Sequence, residues 1–168
     1  VPADLAPVHR LDRGTSGIVL FATPAGRPAL TEAFASRAAR KRYSALVFGK
    51  TRAKGVIRRP LADGRRGEPV EAITRYRTAE AFTKWSLLDV RPETGRKHQI
   101  RRHLQGIGHA LVGDDRYRPR GKPTVPAFPG RLWLHAAELT IGELTLRAPL
   151  PADLAAHLEA LREISASA

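Results

Sequence analysis

The sequence contains no cysteine and no methionine, and acidic residues are scarce in it. Without cysteine the protein cannot form disulfides or thiolate metal sites, and it cannot use a cysteine nucleophile. Long apolar runs are absent too, since stretches such as residues 18–22 fall far short of the roughly 20 residues that span a bilayer. These absences lead us to expect a soluble, cytoplasmic protein that makes no membrane contact.

Basic residues dominate the charge balance. The 168 residues hold 29 Lys and Arg against 16 Asp and Glu, which gives a net charge of +13. Such an excess attracts polyanions before any specific contact forms, so nucleic acid is the expected partner. A basic surface that only confers solubility is the alternative. With 42% hydrophobic content, residues 1–168 suffice for a single domain with one core.

Strand and helix signals are interleaved without the regular alternation of a doubly wound sheet. We expect an α+β fold in which helices flank a mostly antiparallel mixed sheet, with residues 50–67 as a basic loop. The strands at residues 70–76 and 83–90 are expected to form an antiparallel hairpin. The predicted strands cover residues 18–22, 43–48, 70–76, 83–90, 132–139 and 143–147, and the predicted helices cover residues 28–40, 97–105 and 151–164.

Asp12 lies between Arg10 and Arg13 on a turn that contains Gly14 and leads into a predicted strand. A carboxylate held beside guanidinium groups can act as a nucleophile or stabilise a developing positive charge. The alternative is an aspartate that caps a turn and pairs with a surface arginine, without a chemical role. Asp12 is the candidate catalytic residue of this segment.

The predicted helix over residues 97–105 carries a cationic face. Helical spacing places His98 on the same side as Arg101 and Arg102, while apolar residues form a separate stripe. The cationic face suits an anionic partner, and the amides of residues 94–96 at the helix start are suited to hold a phosphate. A solvated basic face without a ligand is the alternative.

One tyrosine and the six histidines are the remaining candidates for chemistry. Tyr43 follows two cations at the start of a predicted strand, where a tyrosine can stack on a base, move a proton or simply pack. The histidines lack a compact ligand spacing backed by an acidic residue, as in a His-Glu-x-x-His helix. We therefore expect no metal site.

Five segments, taken in order, resemble the RluA family of pseudouridine synthases. The most specific are His-Arg-Leu-Asp-x-x-Thr-Ser-Gly around Asp12 and Thr-Gly-Arg-x-His-Gln-Ile-Arg-x-His-Leu, which ends at Leu104. The resemblance extends over most of the chain. It implies the fold of a pseudouridine synthase catalytic domain and isomerisation of a uridine in RNA, without a cofactor. The five segments are residues 9–17, 41–47, 94–104, 108–117 and 134–136.

The resemblance also implies roles for individual residues. Asp12 would be the catalytic aspartate, and Arg101 would form a salt bridge with its carboxylate. Tyr43 would lie against the uracil and help to remove the proton from C5. Arg10 would fill the gap left by the flipped nucleotide. The other candidates for substrate binding are Arg13, Thr15, Arg96, His98 and Arg102.

Two features of the motifs concern the RNA target and the N-terminal extent of the sheet. The helix segment looks like that of the TruC-type tRNA enzymes. It has Lys97 where Thr or Ser is commoner, and Arg102 directly follows Arg101. We expect tRNA ahead of ribosomal RNA, and a monomer. Family members carry a strand before the aspartate block, whereas only eight residues precede His9, so we expect a sheet truncated at the N-terminus.

Two other functions fit the composition. The first is a non-catalytic RNA-binding module that keeps the fold and has lost turnover. The second is a small basic ribosome-associated structural protein, which would carry disordered basic tails and no fixed acid. The turn that holds Asp12 argues against the second. For RNA binding by the catalytic domain itself, we expect residues 37–42 and 50–67 to supply most of the charge.

Overall fold

The computed structural model describes residues 4–62, 67–118, 121 and 124–167. Within these residues it contains a central sheet of seven strands, two small ladders and three helices, which confirms the predicted α+β class. The strands are β1 (Ala6–Pro7), β2 (Ser16–Gly17), β3 (Phe21–Ala22), β4 (Arg40–Phe48), β5 (Lys54–Arg58), β6 (Leu61–Ala62), β7 (Pro69–Val70), β8 (Ile73–Ala81), β9 (Trp85–Pro92), β10 (Leu134–Ile141) and β11 (Leu144–Arg147), and the helices are α1 (Arg27–Ala35), α2 (Gln99–Gly106) and α3 (Ala152–Ala166).

Neighbouring strands along the order β11-β10-β4-β9-β8-β5 are antiparallel, which confirms the mostly antiparallel sheet and the predicted hairpin, formed by β8 and β9. The exception is β2, which pairs with β10 in parallel. Because β2 leads directly out of the turn that carries Asp12, this pairing attaches the turn to the central sheet at β10, across that strand from β4.

Strand β4 supplies side chains to a core on each face of the sheet. Ala45 and Val47 point into one core, and Leu46 and Phe48 point into the other. Helix α2 covers the first core and α3 covers the second. A strand that is buried on both faces has a continuous apolar sequence, which is why β4 is readable from the sequence alone.

The predicted strand over residues 18–22 is wrong in extent. The chain pairs with β10 only through β2, leaves it, and then pairs with β1 through β3. Between the two ladders, the amide of Ile18 still donates to Ala136, and the amide of Leu20 donates to Nε2 of His9. The apolar run therefore changes partners in its middle, and it cannot form one continuous strand.

Two other predicted elements differ in extent. The helix predicted over residues 28–40 ends at Ala35, because Arg37 takes a left-handed conformation with φ of 64° and the chain then enters β4. The predicted loop over residues 50–67 contains β5 and β6, while residues 63–66 lie outside the described part. Strand β5 pairs with β8 at the edge of the sheet. Its Lys54 and Arg58 are exposed, and such charges are typical of protected edge strands.

Candidate active site

Backbone contacts close and dock the turn that carries Asp12. The amide of Thr15 donates to the carbonyl of Asp12 at 2.9 Å. The chain then enters β2, whose register places Gly17 beside Ala136 of β10. Gly17 has φ of 115°, and a Cβ there would lie 2.2 Å from the carbonyl oxygen of Ala136. Only glycine permits this approach, so the turn lies close against β10.

Strand β10 also brings Tyr43 to the turn. Ala136 pairs with Tyr43 of β4 as well as with Gly17, so both residues neighbour the same point of β10. Burial raises the pKa of Tyr43 to about 12, and the negative charge of Asp12 contributes to the rise. The Tyr43 phenol is therefore protonated at neutral pH.

Helix α2 and the residue before it place two groups beside the Asp12 carboxylate. Nη1 of Arg101 lies 3.8 Å from Oδ2 of Asp12, and Nε2 of His98 lies 3.8 Å from Oδ1. Both distances are too long for hydrogen bonds, although they permit electrostatic interaction. The Asp12 side chain is 26% exposed, so solvent or a ligand can still reach it. The structure thus brings together the three predicted catalytic residues, Asp12, Tyr43 and Arg101.

Arg101 makes its short contacts with a second carboxylate, Asp114. Its Nε and Nη2 donate to the two carboxylate oxygens at 2.7 and 2.9 Å, and the Asp114 side chain is 1% exposed. Burial raises the pKa of Asp114, but hydrogen bonds from Arg101 and from the amides of Arg116 and Tyr117 outweigh it and hold that pKa below its ordinary value. The hydrogen bond to Asp114 in turn raises the pKa of Arg101, which is a fixed cation.

His98 is held by Tyr117. Its backbone is left-handed, with φ of 52°, and it immediately precedes α2. Its Nδ1 lies 2.9 Å from the hydroxyl oxygen of Tyr117. Burial lowers the pKa of His98, and neighbouring cations including Arg101 oppose the upward effect of Asp12. The imidazole is therefore predominantly neutral at physiological pH.

A pocket of about 120 Å³ has Asp12 and Tyr43 in its wall. The hydroxyl of Thr15 in the same wall is buried and has no hydrogen-bond partner among the described residues, so a bound ligand could satisfy it. Arg101 does not line the pocket, although its Nη1 lies 3.8 Å from Oδ2 of Asp12. Four of the residues predicted to bind substrate line this pocket: Arg10, Thr15, Arg96 and His98.

The other two residues predicted to bind substrate lie elsewhere. Arg13 is exposed and outside the pocket wall. Arg102 donates to the carbonyl of Ala62 at 3.0 Å and is not brought to Asp12. The expectation of one shared face fails for Arg102 because His98 is left-handed and precedes the first helical residue, so its side chain does not follow helical spacing.

The amides at the start of α2 are not all free to hold a phosphate, contrary to the prediction. The amide of Arg96 donates to Oε1 of Gln99, which also accepts the hydroxyl proton of Thr94. The side-chain nitrogen of Gln99 donates to the carbonyl of Ile73 and to the hydroxyl of Thr74. This buried glutamine has all four of its hydrogen bonds and ties the start of α2 to β8.

Asp114 and Tyr117 are the site residues to which sequence reasoning assigned no role. Their signal was present, because both belong to the family-like segment over residues 108–117. What the segment could not show is that Asp114 binds Arg101 and that Tyr117 binds His98. Among the residues that the structure describes, no group of three or more His, Asp or Glu side chains could hold a metal ion. None of the described helices is long and apolar enough to cross a membrane.

The sequence matches a family model described as RNA pseudouridylate synthase over residues 2–106, which include Asp12, Tyr43 and Arg101. It is 39% identical to an uncharacterized RNA pseudouridine synthase of Chloroflexus aurantiacus, over 93% of this chain and 53% of that protein. It is 38% identical to the dual-specificity RNA pseudouridine synthase RluA of Vibrio cholerae, over 81% of this chain and 59% of that protein. The ribosomal large subunit pseudouridine synthase D of Nitrosomonas europaea is also 38% identical, over 94% of this chain and 51% of that protein.

Solved structures resemble the fold across nearly the whole chain. The human protein RNA Pseudouridylate Synthase Domain Containing 4 superposes with a TM-score of 0.82 at 26% identity, over 94% of this chain and 76% of that one. Human RNA Pseudouridylate Synthase Domain Containing 1 has a TM-score of 0.77 at 24% identity and supports the fold alone. The chain spans about half the length of the curated relatives that it matches.

Proposed function

The chain belongs to the RluA family of RNA pseudouridine synthases, and from this premise we propose that it isomerises a uridine in structured RNA to pseudouridine, with Asp12 as the catalytic group. The observation that supports the proposal most directly is the environment of Asp12. Its carboxylate lies in a pocket wall, with Arg101 and His98 each 3.8 Å away and Tyr43 in the same wall.

The proposed reaction is an isomerisation that leaves the composition of the nucleotide unchanged. The bond between C1′ and N1 breaks, the uracil turns, and a bond between C1′ and C5 forms. The hydrogen on C5 leaves as a proton, and N1 gains a proton. Because there is no net oxidation or reduction, the reaction needs no redox cofactor. The Asp12 carboxylate serves either by attack on C1′ or by promoting elimination to a glycal, and both routes require it beside the ribose.

We assign Tyr43 to contact with the uracil. Because its pKa of about 12 lies far above 7, the neutral phenol dominates at neutral pH. A neutral phenol is a poor proton acceptor, whereas its flat ring can pack on a base. The raised pKa therefore favours packing over removal of the C5 proton.

The target nucleotide must leave its helix before Asp12 can reach the ribose, at a cost of about a few kcal/mol. We propose that Arg10, exposed and part of the pocket wall, occupies the space that the nucleotide vacates. Exposed cations such as Arg40 and Arg58 hold the surrounding phosphates. We propose that the domain acts as a monomer.

The identity of the RNA is the finer part of the proposal. The names of the relatives include ribosomal large subunit enzymes and a dual-specificity enzyme. We propose tRNA ahead of ribosomal RNA, because Lys97 and Arg102 give the helix segment its TruC-like pattern. Assays on transcripts of both classes decide between them.

The test measures tritium released from C5 of labelled uridine in tRNA and in large-subunit ribosomal RNA. We expect release with the unaltered protein and none above background with Asp12→Asn. RNA affinity should stay within about twofold, because removing a negative charge adds no repulsion toward phosphate. Asp115→Asn is the matched control, since this exposed carboxylate lies outside the pocket wall and should be dispensable.

A complementary variant separates binding from chemistry. Arg58→Ala should weaken RNA binding and lower the salt-dependence slope by about one, while the single-turnover rate at saturating RNA stays unchanged. If the unaltered protein binds RNA but releases no tritium from either class, the non-catalytic RNA-binding module is the correct function. Equal loss of affinity and activity in Asp12→Asn would also contradict the catalytic role.

A further inference from the structure

Tyr117 connects the two groups that flank Asp12. Its hydroxyl oxygen lies 2.9 Å from Nδ1 of His98, and the guanidinium carbon of Arg101 lies 5.1 Å from its ring centroid. Its amide donates to Asp114 at 2.9 Å. Tyr117 does not line the pocket, so its influence on a substrate would pass through the residues that it contacts.

Asp114 anchors this arrangement from below the surface. One of its oxygens accepts hydrogen bonds from Arg101 and from the amides of Arg116 and Tyr117, and the other accepts a second bond from Arg101. A buried carboxylate with this many donors has a single low-energy orientation. The positions of Arg101 and Tyr117 relative to each other are thereby fixed, and through Tyr117 so is the position of His98.

The neutral imidazole of His98 has one N–H, on either Nδ1 or Nε2. With the proton on Nδ1, the lone pair of Nε2 would face Oδ1 of Asp12 at 3.8 Å, and two electron-rich atoms would oppose each other. With the proton on Nε2, an N–H faces the carboxylate and Nδ1 accepts the hydroxyl proton of Tyr117. The second arrangement satisfies both contacts.

We propose that Tyr117 is a positioning residue that donates its hydroxyl proton to Nδ1 of His98 and so holds the Nε2–H toward Asp12. The Nε2–H of the neutral His98 then faces the carboxylate and orients it electrostatically, together with the cation of Arg101. Because both contacts with Asp12 exceed hydrogen-bond length, its oxygens are oriented and still available to the ribose. The catalytic meaning of this arrangement rests on the proposed function, whereas the tautomer itself does not.

Nitrogen-15 NMR of the imidazole side chains tests the tautomer in the free protein at pH 7.5, with His98→Gln identifying the His98 signals. We expect the unaltered protein to show a protonated Nε2 and an unprotonated, hydrogen-bonded Nδ1. Tyr117→Phe should remove the hydrogen-bond shift at Nδ1. A protonated Nδ1 in the unaltered protein would overturn the proposal, whatever the protein does to RNA.

Kinetics test the consequence. Partners that hold the tautomer of a metal-ligating histidine typically contribute about 10- to 100-fold, and by analogy we expect Tyr117→Phe to slow single-turnover tritium release by about that factor without raising the RNA dissociation constant. The matched control is Tyr76→Phe, which removes the same atom from a buried tyrosine of the core and should leave the rate and the His98 signals unchanged.

A double variant distinguishes this role from simple packing. In the His98→Gln background, Tyr117→Phe should cause little further loss, because the hydroxyl has no imidazole to hold. If Tyr117→Phe slows that background as much as it slows the unaltered protein, Tyr117 does not act through His98 and the proposal is wrong. If no RNA yields tritium with the unaltered protein, the proposed function fails while the NMR result still decides the tautomer.

Discussion

Arg101 divides its interactions between two carboxylates of different character. It binds Asp114 through two short hydrogen bonds in a buried setting, and it approaches Asp12 only to 3.8 Å. The first contact fixes the guanidinium in space, and the second brings its charge to the pocket wall. Different contacts therefore serve the structural role and the proposed chemical role of Arg101. Asp114 holds Arg101 in place, and in the proposed mechanism Arg101 orients Asp12.

Replacing Arg101 should therefore reduce stability as well as activity. Arg101→Ala leaves the Asp114 carboxylate buried without its cation, which we expect to lower the free energy of unfolding by about 3–5 kcal/mol. Urea denaturation followed by tryptophan fluorescence measures the loss. The adjacent variant Arg102→Ala, which removes one hydrogen bond to Ala62, should lose only about 1 kcal/mol. Similar losses in the two variants would show that the Asp114 pair contributes no special stability.

At the scale of elements, the parallel contact between β2 and β10 decides where the turn that carries Asp12 lies. The contact involves two residue pairs, His135 with Ser16 and Ala136 with Gly17. The hydroxyl of Ser16 adds a 2.9 Å hydrogen bond to Nδ1 of His135. Such a short ladder contributes little stability by itself, but it fixes the register of β2 on β10. A shift of one residue would move Asp12 away from Tyr43.

Gly17→Ala tests this registration. The added methyl would meet the carbonyl of Ala136, at a backbone conformation that disfavours side chains, so β2 must move away from β10. We expect a stability loss of at least about 1 kcal/mol and a larger proportional loss of tritium release. Gly26→Ala is the control, because its Cβ would lie an ordinary 3.7 Å from the nearest atom, Oγ1 of Thr23. Equal activity of the two variants would refute the role of the ladder.

The protein carries more basic side chains than its acidic side chains can pair with. Several exposed arginines pair with the available acids, as in Arg37 with Glu71 and Arg162 with Glu80. Exposed pairs of this kind contribute about 0–1 kcal/mol each, so they explain little of the stability. The excess that gives the net charge of +13 is better explained by attraction of a polyanion, in agreement with the proposed RNA substrate.

Four histidines have pKa values that burial lowers below the ordinary value near 6.5, and together they affect the stability of the whole molecule. A folded-state pKa below the unfolded one means that the unfolded chain binds more protons, so stability falls as the pH drops below about 6.5. The lowered pKa values of Asp89 and Asp114 act only near and below pH 4. The histidines are His9, His98, His103 and His157.

Acidification from pH 7.5 to 5.5 should therefore lower the free energy of unfolding in urea. His157→Gln should reduce the size of that fall, because Nδ1 of His157 accepts from Trp133 and Nε2 donates to Pro126, and a glutamine can make both bonds without titrating. The comparison at two pH values isolates titration from any packing change. A fall of the same size in both proteins would exclude His157 as a contributor.

The sequence by itself determined the fold class, the doubly buried strand β4, the β8–β9 hairpin and the segments that meet at Asp12. The fold class, the strand and the hairpin were predictable because backbone periodicity and turn chemistry are local, whereas the meeting of the segments at Asp12 was implied by the resemblance to the family. The edge strand β5 was not predicted, because its exposed Lys54 and Arg58 made the segment resemble a basic loop.

Only the tertiary structure decided which side chains meet across the chain. Because the backbone of His98 is left-handed, its side chain does not share a face with Arg102. Long-range packing pairs Arg101 with Asp114 and His98 with Tyr117. Residues 13 to 19 positions apart along the sequence meet only when α2 and the segment after it pack together. Side-chain direction and cross-chain register have no local signature, so no reading of spacing could have supplied these pairings.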